Sequence, residues 1–171
     1  MSEIPSRTIF RRKSPGSVDA IEFVEDDMQQ MQQIFRMVDK LGASAAYADQ
    51  AALVDRLCRE LQRHMMIEEL VLYPAMRSCF DDTTHLAKAI VAHQRMHDLI
   101  AQLLGAAADS HLFSARLQVL RGQLAQHCAH KQQQIFPQAR RSKLDLAAVG
   151  RRMAAAQLQW RVAREETPIE A

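Results

Sequence analysis

Along most of the chain apolar residues recur three and four positions apart, the spacing that gathers side chains on one face of a helix. Ile21, Val24, Met28, Met31, Phe35 and Val38 form such a stripe and predict a first helix from about Val18 to Lys40, capped by Ser17 and stopped at Gly42. A second helix is predicted from about Ala46 to Ser78, in which Pro74 removes a backbone donor and bends or loosens the last turns. Asp81, Asp82 and the two threonines after them offer a new cap, and Leu86, Ile90, His93, His97, Ile100 and Leu104 stay in phase over a third helix that ends at Gly105. Ser110 can cap a fourth, whose inward face carries Leu117, Leu120, Leu124, His127, Lys131 and Ile135. A shorter fifth helix follows from about Leu144, with Leu146, Val149, Met153, Leu158 and Trp160 as anchors. Four long amphipathic helices joined by short turns predict an all-α, up-down-up-down four-helix bundle with a short C-terminal helix over residues 18–165, behind a flexible arm of residues 1–17.

Composition agrees with that reading. With 48% hydrophobic residues among 171, the chain can bury a core of one domain, and five Gly and five Pro are few enough to favour helices over a sheet. The net charge is +2 and the Lys and Arg residues are scattered, so nothing points to nucleic acid. Cys58, Cys79 and Cys128 form no CxxC pair, and their odd count argues for reduced thiols. The N-terminal residues are polar and basic, and no apolar run of about 18 residues follows. These features predict a cytoplasmic protein without membrane contact.

Candidate chemistry lies in an internal repeat. Leu61 to Pro74 reads Leu-x2-His-x3-Glu-Glu-x3-Tyr-Pro, and Leu124 to Pro137 reads Leu-x2-His-x3-Lys-Gln-x3-Phe-Pro. In each copy the His and the residue four after it share a face with aliphatic side chains. Imidazole and carboxylate in a core are costly unless something satisfies them, and in a helical bundle a metal ion often does. His64, Glu68, His93, His97 and His127 are therefore candidate metal ligands, with Met28 at the same depth on the first helix. Met31, Met65, Met66, Met76 and Met96 read as core filler. Cys128 points about 100° away from His127 around its helix, and His85, His111 and His130 read as peripheral.

These residues resemble those of the hemerythrin-like HHE cation-binding domains. The resemblance spans roughly Val18 to Trp160 and rests on Asp19-Ala20-Ile21, His64-x3-Glu68-Glu69-x3-Tyr73-Pro74, His93 with Asp98-Leu99-Ile100, His127 with Phe136-Pro137, and Leu144-Asp145-Leu146. It implies a bundle around a non-haem di-iron pair, with one His from each helix and bridging carboxylates from the second and fourth. Family members bind oxygen, respond to nitric oxide or iron, or are implicated in repairing damaged iron centres. His64, Glu68, His93 and His127 match ligand positions of that pattern, and His93-x3-His97 resembles the helix-three pair of the oxygen-carrying hemerythrins.

Two positions depart from the pattern. Met28 stands where the family places a helix-one His, and a thioether is a poor ligand for iron. Lys131 stands where the family places the second bridging carboxylate. An ammonium about 4 Å from a unit charge at an effective dielectric of about 20 costs roughly 4 kcal/mol, and a divalent ion about twice that. The expectation is a degenerate di-iron site that holds at most one ion, iron or none, in a sensor, carrier or interaction module rather than an enzyme. Its partners would be a small gas or another protein. The alternatives are an active non-haem iron protein handling oxygen, nitric oxide or iron, which would need Lys131 displaced and another group such as Asp27 to supply a ligand, and a metal-free scaffold in which Lys131 pairs with Glu68.

Overall fold

The computed structural model describes residues 18–41 and 47–165; the expected arm, the Ser17 cap and the Gly42 stop lie outside them. The described residues fold into α1 (Ala20–Leu41), α2 (Tyr47–Ile67), α3 (Tyr73–Arg77), α4 (Thr84–Leu104), α5 (His111–His130), α6 (Phe136–Arg141) and α7 (Leu146–Glu165). Two π-helical segments, Glu68–Leu72 and Lys131–Ile135, join α2 to α3 and α5 to α6. The result is four long helices in a bundle, with α7 laid against α1 and α2.

Capping residues set the helix starts. Asp19 accepts hydrogen bonds from the backbone N–H groups of Ile21 and Glu22 at 2.8 and 2.9 Å, so it caps α1. Asp82 accepts from Thr84 N–H at 2.8 Å, and Ser110 accepts from Phe113 N–H at 3.1 Å. Side chains buried along all the long helices form one core. Each fully buried Leu, Ile, Met or Phe contributes about 1.5–3 kcal/mol, so these stripes carry the fold. Between α5 and α1, Arg121 reaches Asp39 at 2.7 Å and lies over the Phe35 ring.

The π segments coincide with the prolines. Tyr73 N–H bonds the Glu68 carbonyl and Phe136 N–H bonds the Lys131 carbonyl, both five residues back. Pro74 and Pro137 follow immediately; neither can donate, and the ring of each crowds the carbonyl four residues earlier. Widening the preceding turn relieves both problems. The loosening expected at Pro74 takes this form, and it occurs twice at the same register of the repeat.

Two stripes differ from expectation. On α4 the inward residues are Leu86, Ala89, His93, Met96, Ile100 and Leu103, whereas Leu104 is 50% exposed and His97 is exposed. Both readings share Leu86, His93 and Ile100; between them the helix turns Met96 inward, because a buried imidazole needs a partner and a thioether does not. α7 runs from Leu146 to Glu165, 20 residues, starting close to the expected Leu144. It buries Val149, Met153 and Gln157, and leaves Leu158 63% exposed, so Leu158 is not the anchor its type suggests.

Candidate metal centre

Four helices deliver seven polar side chains to one depth of the core. Asp27 comes from α1, Arg63 and His64 from the end of α2, Glu68 from the first position of its π segment, His93 from the middle of α4, His127 from the last turn of α5, and Lys131 from the first position of the second π segment. All seven are at most 3% exposed. His64 with Glu68 and His127 with Lys131 are four apart, which puts each pair on one helical face.

One half of the cluster is saturated by protein charges. Lys131 Nζ donates to Glu68 Oε1 at 2.6 Å and lies 3.0 Å from His64 Nε2. His64 Nδ1 is 3.3 Å from Asp27 Oδ2, and Arg63 donates to Asp27 Oδ1 at 2.9 Å. A carboxylate at Nδ1 holds the imidazole in the Nδ1–H form, so its Nε2 lone pair faces the ammonium. Asp27 and Glu68 balance Arg63 and Lys131.

The other half gathers metal-type donors. Glu68 Oε2 lies 3.2 Å from His93 Nε2 and 3.7 Å from His127 Nε2, and the two Nε2 atoms are 3.1 Å apart. His93 Nδ1 donates to Glu69 Oε1 at 2.7 Å, which turns the other ring nitrogen, as a lone pair, toward Glu68 and His127. Tyr73 OH donates to Glu68 Oε2 at 2.9 Å and is 3.3 Å from His93 Nε2. The π turn makes this reach possible, since residues five apart in an α-helix point about 140° from each other. His127 Nδ1 is buried without a hydrogen-bond partner among the described residues.

Burial and charge act in opposite directions here. Burial pushes the Glu68 carboxyl up, but the Lys131 ammonium and the imidazoles of His64, His127 and His93 outweigh it and hold the group well below the usual carboxylate range. Burial also raises Asp27, and its bond to His64 and the Arg63 charge bring it below its ordinary value. Burial lowers both His64 and His127, with Lys131 adding to the effect; His127 falls to about 3. Both imidazoles are neutral at pH 7, as ligands must be.

Of the candidates named from sequence, His64, Glu68, His93, His127 and Lys131 meet in this cluster, and His97 lies on the exposed face of α4. Met28 is buried in the core, but its neighbour Asp27 is the α1 residue whose carboxylate reaches the cluster. Arg63, Glu69 and the Tyr73 hydroxyl were given no role by the sequence reading. Arg63 carried a signal, a charge beside His64 on an otherwise core-facing stretch. Glu69 stands in the repeated motif, but its neighbour Glu68 already accounted for the inward carboxylate.

The sequence pattern of the Hemerythrin HHE cation binding domain matches residues 19–139. The chain belongs to the hemerythrin HHE cation-binding domain family. Helix α7 lies beyond the matched stretch. A solved hemerythrin HHE cation-binding domain-containing protein from Mycobacterium kansasii superposes with a TM-score of 0.73 at 23% identity, covering 85% of this chain and 89% of that one. That likeness shows the hemerythrin-type fold. No curated protein sequence matches the chain.

Glu68, His93 and His127 form a buried group that could hold a metal ion. Three ligands about 2.1 Å from a common ion stand roughly 3.0–3.4 Å apart, close to the 3.1, 3.2 and 3.7 Å between Glu68, His93 and His127. Two imidazoles and one carboxylate are the donor set of non-haem Fe(II) centres. Around His64 the remaining space is taken by the Lys131 ammonium, which offers no lone pair.

Proposed function

We propose that this chain is a hemerythrin-like cation-binding protein whose two-ion site is reduced to a site for at most one ion, and that it serves as a sensor, carrier or interaction module rather than an enzyme. The observation that carries this reading is Lys131, whose ammonium contacts both Glu68 and His64 where a second ion would need a carboxylate. Glu68, His93 and His127 would hold the ion, with Glu69 orienting His93 and Tyr73 supporting Glu68. Bound there, ferrous iron would supply reversible ligation of a small gas such as oxygen or nitric oxide. The surrounding apolar core excludes bulk water, and the exposed faces remain free to meet a protein partner.

One observation favours a second reading, a metal-free scaffold: the buried charges already cancel, with Glu68 on Lys131 and Asp27 on Arg63. Metal content decides between them. Protein purified without oxygen and loaded with Fe(II) should carry about one ion per chain under the first reading, as ligand number controls such sites. Negligible iron would favour the scaffold. Two ions with an oxo-bridge absorption band would overturn both readings and mark an active non-haem iron protein that handles oxygen, nitric oxide or iron, including repair of iron centres.

A further inference from the structure

Away from the charged cluster, α1 and α7 enclose a half-open groove with a cavity volume of about 450 Å³, within the range of about 300–1,000 Å³ common for small-molecule sites. Small residues on α7, Ala154 and Ala155, leave the space, and Phe23 and Leu158 give it apolar walls. Its floor includes Asp27, whose two oxygens are engaged by Arg63 and His64 and bring no free charge into the groove. Arg151 and Arg161 also line it, separated by about 15 Å along the helix. Both are exposed, and neither has an ion-pair partner among the described residues. Asp26 is the other carboxylate of the lining, set against these two guanidinium groups.

We propose that this groove binds a small amphipathic anion, a free aliphatic carboxylate whose chain lies along Phe23, Ala154 and Leu158 and whose head is held by Arg151 or Arg161. Charge complementarity selects the head: an exposed guanidinium with its donor fork free matches a carboxylate in two-point geometry. The apolar walls select the tail, since a fully hydrated anion would leave them wet. The groove also meets the charged cluster through Asp27, so a chain resting on that residue would bear on the group that orients His64. This link would supply a ligand to the sensor reading, but binding in the groove does not depend on a metal being present.

The test is a nuclear magnetic resonance titration of the metal-free full chain with octanoate, with 1-octanol as the neutral comparison. Saturable shifts confined to α1 and α7, with octanol binding more weakly, are expected. The double variant Arg151→Glu and Arg161→Glu should weaken octanoate by about tenfold or more, since it replaces attraction by repulsion. Ala154→Trp, which fills the groove, should abolish binding. If either variant fails to fold, Overhauser contacts from octanoate methylenes to Phe23 and Leu158 in the unaltered protein give the same answer. Equal binding of octanol, unchanged binding in a folded Ala154→Trp protein, no saturable binding, or binding only after deletion of residues 1–17 would overturn the proposal. The last result would mean that the groove is occupied by the chain's own N-terminal segment.

Discussion

Lys131 Nζ lies 2.6 Å from Glu68 Oε1, and these residues open the two π segments of the internal repeat. Equivalent positions of the two copies thus meet across the core as cation and carboxylate. Breaking a buried pair from one side leaves the other charge uncompensated and costs about 3–5 kcal/mol. Lys131→Met should therefore destabilise the metal-free protein. Lys131→Glu should be worse without metal and be rescued by Fe(II), because two facing carboxylates call for a cation. Thermal unfolding of both variants with and without Fe(II) checks this; a neutral Lys131→Met together with an Fe(II)-insensitive Lys131→Glu would show the lysine to be a bystander.

Glu69 is the hydrogen-bond partner that fixes the ring of His93. Carboxylates in that role typically change metal affinity by about 10–100-fold when altered. Glu69→Gln should weaken Fe(II) binding by that order while leaving unfolding of the metal-free protein nearly unchanged. Equal Fe(II) affinity in the two proteins, measured by competition with a chelator, would remove Glu69 from the site.

Acid should loosen the metal-free protein well before its carboxylates titrate. Burial lowers His64 and sets His127 at about 3 in the folded state, against about 6.5 in an unfolded chain. The unfolded state then binds more protons in this interval. The stabilisation is fully present above about pH 6.5 and declines as pH falls toward the folded values. His127 alone gives a slope approaching about 1 kcal/mol per pH unit, and His64 adds to it in the same direction. Urea unfolding at pH 7, 6 and 5 measures it, and His127→Gln should lower the slope. A pH-independent midpoint over that range would contradict the burial of neutral imidazoles.

Gly150 and Gly122 should respond oppositely to alanine. A Cβ on Gly150 would come 2.4 Å from the Val18 carbonyl oxygen, whereas one on Gly122 meets nothing within 4 Å. Gly150→Ala must push α7 away from the start of α1 and should cost about 1–3 kcal/mol. Gly122→Ala, inside α5, should gain about 0.5–1 kcal/mol from lower backbone entropy in the unfolded chain. Denaturant midpoints of the two variants give the comparison, and a stabilising Gly150→Ala would show that the α1–α7 approach is looser than described.

The bundle and most of the cluster were legible in the sequence because apolar spacing and the repeated His-x3-Glu/Lys unit carry both. His64, Glu68, His127 and Lys131 share a phase with unmistakable core residues. His97 was misplaced because Leu86, His93 and Ile100 are seven apart, and that spacing does not say whether Met96 or His97 fills the turn between them. Leu158 misled for a related reason: on α7 a polar residue, Gln157, keeps the inward register. Asp27, Arg63 and Glu69 act through contacts between helices, with Asp27 and Arg63 separated by 36 positions and Glu69 and His93 by 24. No periodicity within one helix reports such a pairing.

The second π segment forms although it begins with Lys131 rather than a carboxylate. Its geometry therefore belongs to the Phe136-Pro137 sequence that follows, and the backbone at position 131 is preorganised for any side chain placed there. An acid introduced at that position would inherit its aim from the proline, with no rearrangement of the helix to wait for. Whether a cation or a carboxylate faces Glu68 in this scaffold is then a matter of side-chain identity on a backbone already built for either.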